Sequence, residues 1–337
     1  MPAEKKLVHY YVHGRGMGHA TRSVAVIHAL RAAGYEVRAF AGPDAVQLVA
    51  EATGCRPVES LPARLGLRTP VILASRVVQA LAALRAEPPR AVVSDSDLPG
   101  LMAARLAGVP ALVVGHGLLA GTCHRPPGVD PGAWRREAWK VRSSSVGATH
   151  HVAVSFVPLT PLEPARTTLA APALPADLLA DPPRPDPRAP LVAYFRDDNA
   201  HAVLDRLSEH GHPVTLFTRY VHPPRPGIDV RPVGRAPFVK ALRRAPAVVA
   251  SAGSQLMSEC VFGGVPQFAL HDADDDEQRL NVEMLRGAGL GDGCAFRDFS
   301  PARLHRFLEG LSQPRQPPPQ PHPDVTEAVI GWIERLP

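Results

Sequence analysis

The segment with the clearest indication of the fold is SAGSQLMSECVFGGVPQFALHDADDDEQRLNVEMLRGAGLG, residues 251–291. The apolar run AVVAS that leads into it predicts a buried strand, and Ala252–Ser254 predict a tight turn into a helix. That helix ends at Gly263 and Gly264, and PQFAL (266–270) predicts a second strand. A strand, a helix and a strand in this order predict one unit of a parallel sheet with crossover helices.

The same alternation extends outward through both halves of the chain. In the first half, an apolar-periodic helix from His19 to about Ala33 lies between two strand-like runs. In the second half, HAVLDRLSEHG (201–211) predicts a helix in the same setting. The other predicted strands are LVHYYVH (7–13), YEVRAFAG (35–42), RAVVSD (90–95), PALVVGH (110–116), HVAVSF (151–156), LVAYF (191–195) and PVTLFT (213–218). The pattern predicts an α/β protein with two Rossmann-like halves.

Proline marks the expected domain boundaries, because it removes a backbone donor and blocks regular structure. A large share of the 38 prolines falls between about 157 and 190, and a second proline-rich break at 313–323 precedes an amphipathic helix, VTEAVIGWIERL. The 337 residues also exceed the ~250–300 that one core reaches. We predict an N-terminal domain over 1–160, a linker over 161–189, a second domain over 190–320 and a terminal helical segment over 321–337.

The composition is that of an ordinary globular protein, with 45% hydrophobic and 20% charged residues. The net charge of +5 comes from dispersed arginines and only 5% of residues are aromatic, so we predict no nucleic-acid partner. No run reaches the ~18 apolar residues of a membrane span, and the apolar run before Gly14 is too short for a signal peptide. We expect a cytoplasmic protein. The four cysteines are scattered and the histidines lack HxxxH spacing, so no metal site is predicted.

A glycine-rich loop, HGRGMGHATRS (13–23), follows the first strand. Gly14, Gly16 and Gly18 would let backbone N–H groups and the positive end of a helix dipole face a polar or anionic ligand. Their GxGxG spacing does not match the GxGxxG dinucleotide fingerprint, and the second strand ends in AFAGPD without an acidic residue for a ribose. These two departures argue against a nicotinamide enzyme.

His19 and Asp95 are the candidate catalytic pair. His19 lies on the first turn of a helix, where an accessible imidazole suits a general base, although it can also simply begin the helix. Asp95 and Asp97 follow a buried strand, at the edge of a parallel sheet where ligands bind. Either aspartate can cap the next helix, and Asp97 fits that role better because Pro99 follows it. We predict that Asp95 orients His19.

Residues 251–291 also contain candidate ligand-binding residues. The turn at Gly253 and Ser254 can hold a diphosphate on its N–H groups, and Glu259 lies five residues beyond Ser254 on the same helix. A carboxylate there can accept both hydroxyls of a ribose. Glu277 and Gln278 stand at a loop-to-helix junction, where they can bind sugar hydroxyls, and the acidic run 272–276 is interpreted as a solvated loop.

This pattern resembles the donor motif of the UDP-glycosyltransferase superfamily, from the glycine turn and glutamate helix to an acidic residue, Gln, and Asn281 beyond it. It is also similar to the lipid-linked GlcNAc transferases of peptidoglycan synthesis. The resemblance implies a GT-B fold, with two Rossmann-like domains facing a cleft and a C-terminal helix returning to the first domain. The Gly18-His19 pair and the aspartate of VVSD match the positions of the catalytic histidine and its carboxylate.

The resemblance also implies a role for each matched residue. His19 deprotonates the acceptor, Glu259 holds the ribose, and Glu277 with Gln278 holds the donor sugar. The residues along the diphosphate are Ser251, Gly253, Ser254 and Gln255. Attack from the opposite face inverts the anomeric carbon, with no metal or cofactor besides the nucleotide-diphosphate sugar, UDP- or dTDP-linked. The acceptor is a small molecule or a lipid-linked one.

Three departures and three alternatives stay open. Ser251 stands where many relatives have a histidine, the loop at 195–199 reads FRDDN instead of a Gly/Ser-rich sequence, and HATRS follows the first glycine loop. The same fold serves sugar-nucleotide epimerases, whose GTRPE-like motif is missing here, and it could serve a non-catalytic nucleotide-sugar binder. The apolar helix predicted over 65–87 is either an ordinary amphipathic helix or a site of peripheral membrane contact. The oligomeric state has no signal in the sequence.

Overall fold

A computed structural model of the protein describes residues 6–14, 17–62, 66–195, 198, 200–311 and 322–337. These residues form two compact units. The first contains the described parts of Met1–His124, Arg135–Ala173 and Pro321–Pro337. The second contains Arg125–Trp134 and the described parts of Leu174–Gln320.

The first unit is built on a seven-stranded parallel sheet. Its spatial order is β3-β2-β1-β4-β5-β6-β7. The strands are β1 (Leu7–Val12), β2 (Glu36–Ala41), β3 (Arg56–Pro57), β4 (Ala91–Asp95), β5 (Ala111–Gly115), β6 (His150–Val154) and β7 (Thr167–Ala170). The helices along this part of the chain are α1 (Met17–Ala32), α2 (Pro43–Thr53), α3 (Thr69–Ala86), α4 (Leu98–Ala107), α5 (Leu119–Thr122) and α6 (Pro131–Ser144). Strands β4 and β5 are buried along their whole length, as strands covered on both faces must be.

The second unit is built on a six-stranded parallel sheet. Its order is β10-β9-β8-β11-β12-β13. The strands are β8 (Leu191–Tyr194), β9 (Val214–Thr218), β10 (Ile228–Pro232), β11 (Val248–Ser251), β12 (Gln267–His271) and β13 (Gly291–Ala295). The helices are α7 (Ala176–Ala180), α8 (His201–His210), α9 (Arg235–Leu242), α10 (Ser254–Gly263), α11 (Asp276–Gly287), a 3₁₀ turn (Phe296–Asp298) and α12 (Pro301–Glu309). Helix α10 ends as predicted, with Gly264 in the left-handed region at φ 69°.

The last helix, α13 (Val325–Glu334), belongs to the first unit. Its apolar face, with Val325, Val329 and Ile333 fully buried, joins the core that also holds residues of α1 and β1. The Trp332 ring stacks on His150 of β6 at a centroid distance of 6.1 Å. The return of the terminal helix to the first domain, which the resemblance implied, is therefore confirmed.

The predicted linker over 161–189 contains regular structure. Strand β7 lies within it and pairs with β6, from His151 opposite Thr167 to Val154 opposite Ala170. No proline occurs between Pro164 and Pro172, so the backbone donors that this short strand needs are present. The first unit consequently extends to Ala173. Most of the second proline-rich break lies outside the described residues.

Both sheets reverse their strand order once. In the first sheet β1 and β4 are neighbours, with Val12 opposite Asp95, and in the second β8 and β11 are neighbours. Chains that leave two such strands turn away to opposite sides, which opens a ligand-binding crevice at the carboxyl ends. Most of the residues that the sequence marks as candidates lie at the carboxyl ends of β4 and β11 or in the loops and helices that follow β1 and β11.

Helix α3 is long and apolar enough to cross a membrane by length and composition alone, and 28% of its most apolar 18-residue window is buried. It is the one such helix among the described residues. Arg76, Val77 and Leu84 form its buried side. Leu67, just before the helix, and Val71 on it are largely exposed.

Candidate active site

The loop after β1 is fixed by close packing at its first glycine. A Cβ atom on Gly14 would collide with the Ser60 hydroxyl and with the Cα of Gly42, so only glycine fits. Gly18 lies in the first turn of α1, and Gly16 lies outside the described residues. The loop connects β1 to α1, the helix that contains His19.

His19 and Asp95 are in contact, as the sequence predicts. His19 Nδ1 lies 2.6 Å from Asp95 Oδ1, and the His19 side chain is 30% exposed while that of Asp95 is fully buried. Because an ionised carboxylate only accepts hydrogen bonds, Nδ1 carries the proton of this bond. Nε2 is then the nitrogen that can receive a proton from a ligand.

Asp95 has two further partners that the sequence reading missed. Arg22 donates from Nε to Oδ2 at 2.9 Å and from Nη2 to Oδ1 at 2.6 Å. Ser23 Oγ donates to Oδ2 at 3.1 Å. A bidentate arginine fixes both the position and the plane of a carboxylate. The orientation of His19 therefore depends on Arg22 as well as on Asp95.

The charges around Asp95 decide its ionisation. Burial raises the pKa of this carboxyl, but the Arg22 guanidinium and then His19 lower it, and the balance brings the pKa to about 2. Asp95 is thus ionised at neutral pH.

The turn after β4 separates the roles of Asp95 and Asp97. Ser96 has a positive φ of 59°, a conformation that few non-glycine residues adopt. The Ser94 hydroxyl donates to the carbonyl of Asp97 and accepts from its N–H, both at 2.9 Å, which holds the turn closed. The Asp97 side chain accepts from the Gly100 N–H at 3.1 Å, so the predicted cap of α4 is confirmed.

The turn after β11 is open on its outer side. Ala252 accepts a hydrogen bond from the Asn281 side chain at 3.0 Å, so Asn281 braces the turn. A Cβ atom on Gly253 would meet no described atom within 4 Å. The backbone of Gly253 therefore faces free space directly before the N-terminus of α10, which is a favourable place for an anion.

Glu259 is buried on α10 and already has two donors. Its Oε2 accepts from Arg235 Nη1 at 2.8 Å, and its Oε1 accepts from Gln255 Nε2 at 3.3 Å. Arg235 also reaches Asp177 at 3.2 Å. Two carboxylate oxygens offer about four lone-pair sites, so two remain for hydroxyl donors of a ligand. The sequence assigned Gln255 to the diphosphate, whereas its side chain here lies against Glu259.

The acidic loop after β12 is more ordered than the sequence suggests. Asp275, within the run interpreted as solvated, caps α11 by accepting from the Gln278 N–H at 3.0 Å. The other Asp275 oxygen accepts from Gln278 Nε2 at 2.9 Å. Gln278 is buried with an unpartnered Oε1 among the described atoms, while Glu277 is exposed. The two side chains predicted to bind one sugar thus differ in accessibility.

In the unusual loop at 195–199, Arg196, Asp197 and Asn199 lie outside the described residues.

One signal could have revealed Arg22. It follows His19 by three residues, and Ser23 follows by four, so all three side chains share one face of α1. Arg235 had no comparable signal, because 24 residues separate it from Glu259.

The comparisons with known proteins agree with this architecture. The family model described as Glycosyl transferase family 1 matches residues 71–312, more than two thirds of the chain. No curated protein matches the chain significantly.

Several solved glycosyltransferases share the fold. The glycotransferase of kitacinnamycin is 20% identical with a TM-score of 0.66, over 99% of this chain and 95% of that one. MurG of Acinetobacter baumannii is 19% identical with a TM-score of 0.66, over 98% and 99%. VinC, solved in complex with dTDP, is 18% identical with a TM-score of 0.61, over 98% and 99%. At these identities the likeness shows the fold, which is GT-B as the resemblance implied.

Asp95→Asn should remove one source of acid sensitivity. Because the folded pKa of Asp95 is about 2 and the ordinary pKa of an aspartate is 3.8, its contribution to stability is complete above about pH 4 and is lost as the pH falls toward 2. The pKa difference corresponds to about 2 kcal/mol of unfolding free energy. Urea unfolding from neutral pH to about pH 2 should show wild type losing this extra amount relative to Asp95→Asn.

Asp229→Asn, which changes an exposed ion pair with Arg231, is the matched control and should follow wild type. Parallel loss of stability in wild type and Asp95→Asn over this window would contradict the assignment.

Proposed function

The chain belongs to glycosyl transferase family 1 and is a GT-B glycosyltransferase, and on this premise we propose that it transfers a sugar from a UDP- or dTDP-linked donor with inversion. The acceptor in this proposal carries a hydroxyl and is a small molecule or a lipid-linked one. His19 is the general base. The observation that carries the proposal is the 2.6 Å contact between His19 Nδ1 and Asp95 Oδ1 at the strand-order reversal of the first sheet.

The donor is assigned to the second unit. Glu259 has two lone-pair sites left for ribose hydroxyls after Arg235 and Gln255 are counted. The diphosphate is assigned to the turn at Gly253 and Ser254, with Ser251 beside it. Glu277 and Gln278 are assigned to the sugar. Gln278 is buried and bonded to Asp275, so its Oε1 is the atom left to accept a sugar hydroxyl.

The reaction is a single displacement. His19 Nε2 takes the proton of the acceptor hydroxyl while that oxygen attacks the anomeric carbon from the face opposite the diphosphate. The bond between the anomeric carbon and the phosphate oxygen breaks, and the diphosphate leaves with the electron pair. Asp95 holds the ring orientation and faces the positive charge that develops on His19.

The departing diphosphate needs positive potential. The Gly253 N–H already donates to the Ser251 carbonyl at 2.7 Å. In this proposal the N–H groups of the first turn of α10 and its positive dipole end supply the potential, and the transfer step uses no metal.

Nucleotide binding and transfer should separate in two variants. One nucleoside diphosphate among UDP, dTDP and GDP should raise the melting temperature of wild type and of His19→Ala, following RT ln(1 + [L]/Kd). Glu259→Ala should lose this shift because the ribose acceptor is gone. Release of the nucleoside diphosphate from the sugar donor should fall by about 10²–10⁴ in His19→Ala. Thermal shift and a product-release assay measure the two effects.

His28→Ala, an exposed histidine on the same helix, and Glu209→Ala, an exposed glutamate of α8, are the matched controls and should behave as wild type. If no nucleotide stabilises wild type at millimolar concentration, the donor site is refuted. If nucleotide binds while His19→Ala leaves turnover unchanged, His19 is not the base. Binding without any turnover would favour the non-catalytic alternative.

Peripheral membrane contact stays a prediction, and α3 is the surface that we propose for it. Exposed apolar side chains lie on this helix at Val71 and Val78 and just before it at Leu67. Exposed positive charges lie near its two ends, at Arg68 and Arg85. An apolar strip with basic ends suits the boundary of an anionic bilayer.

Val78→Asp should weaken sedimentation with anionic vesicles severalfold, because a buried charge opposes insertion of the strip. Val146→Asp, which places the same charge on an exposed valine outside α3, is the control. Equal sedimentation of both variants and wild type would remove α3 as a membrane surface.

A further inference from the structure

A cluster of metal-ligating side chains lies in the second unit, outside the residues given a role above. Asp198, His201 and His222 each offer one ligand atom, and these atoms all lie within 4.8 Å of one another. Asp198 and His201 stand at the start of α8, and His222 lies in the loop after β9. We propose that these three side chains bind one divalent transition-metal ion.

The distances fit a metal site after a small adjustment. Asp198 Oδ1 lies 3.4 Å from His201 Nε2 and 4.0 Å from His222 Nε2. Ligand bonds of ~2.0–2.1 Å in a tetrahedral site place ligand atoms about 3.4 Å apart. The first pair already has this spacing, and the second must close by about half an ångström. The third pair, between the two histidine nitrogens, lies within 4.8 Å and must shorten to the same spacing. The side chains of Asp198 and His201 are 51% and 48% exposed, so they are free to make that movement.

His222 is the fixed member of the three. Its side chain is only 4% exposed, and its ring stands edge-on to that of His201 at a centroid distance of 5.0 Å. Its Nδ1 has no hydrogen-bond partner among the described atoms. His222 Nε2 lies 3.3 Å from the Thr218 hydroxyl. With the proton on Nδ1, the Nε2 lone pair can bind the ion once that hydroxyl turns its own proton away.

The charge balance also permits a cation. Asp198 supplies one negative charge, and the nearby Arg225 is paired with Asp205 at 2.6 Å, which offsets its positive charge. Two imidazole nitrogens and one carboxylate oxygen suit Zn²⁺ and Co²⁺, whereas Mg²⁺ and Ca²⁺ prefer oxygen ligands. With three protein ligands, a fourth position is left for water or another small ligand.

The spacing of these three residues in the sequence does not predict a metal site. Asp198 and His201 are three residues apart, but His222 follows 21 residues after His201 and meets them only because β8 and β9 are neighbours. The proposal does not depend on sugar transfer, since no step of the proposed reaction uses the ion.

Titration of the untagged full chain with Co²⁺ tests the site directly. We expect one Co²⁺ per chain with visible ligand-field absorption, displaced by Zn²⁺. Asp198→Asn, His201→Gln and His222→Gln should each weaken Co²⁺ binding by at least about tenfold. His305→Gln, at an exposed histidine that pairs with Glu309 at 3.2 Å but is not in the three-ligand cluster, is the matched control and should bind as wild type.

His222 is buried, so its variant must be checked for folding by circular dichroism. Asp198 is exposed, and Asp198→Asn keeps the test decisive if His222→Gln fails to fold. A wild-type chain without ligand-field absorption at millimolar Co²⁺, or Asp198→Asn and His201→Gln that bind as tightly as wild type, would overturn the proposal. Because the readout is metal binding without nucleotide, its failure leaves the donor experiment unaffected.

Discussion

The charge of Asp95 is the constraint on which the first unit depends. A carboxylate with no exposed surface must be compensated by hydrogen bonds and opposite charge, or it would protonate. Arg22, Ser23 and His19 supply that compensation from one face of α1. The same contacts that allow β4 to end in a buried charge therefore fix the imidazole that we assign as the base. The stability of the buried Asp95 charge and the proposed role of His19 therefore depend on the same hydrogen bonds.

The second unit repeats this principle with different residues. Glu259 is buried on α10, and Arg235 from the start of α9 meets its carboxylate at 2.8 Å. Asp97 with Arg76, in the first unit, is a third pair of this kind and connects the start of α4 to α3. Arg22 and Arg76 are buried, whereas Arg235 is partly exposed. In each pair an arginine from a neighbouring helix holds a carboxylate that has lost contact with water. Removing one partner of such a pair leaves the other charge uncompensated, which strongly destabilises the folded state.

Local sequence patterns predicted most of the fold and the contact between His19 and Asp95, the candidate catalytic pair. The strands with continuous apolar runs were predicted, and the spacing of the two motifs placed His19 and Asp95 at the same sheet edge. Four strands were missed, and each had little signal. Strand β3 has two residues, β7 lies between prolines, β10 is mostly exposed and ends in Pro232, and β13 contains two glycines. Contacts made across the fold could not be derived. Arg235 on Glu259 and His222 beside His201 depend on which strands are neighbours, which a single sequence does not display.

The central claim is that a nucleotide-diphosphate sugar binds at the turn after β11 with its ribose on Glu259. A crystal structure of the protein with its preferred nucleoside diphosphate tests it most directly. The account predicts ribose hydroxyl oxygens within hydrogen-bond distance of the Glu259 carboxylate, and phosphate oxygens beside Gly253 on the N–H groups of the first turn of α10, beginning with Ser254. A nucleotide bound elsewhere, with Glu259 contacting only Arg235 and Gln255, would contradict it.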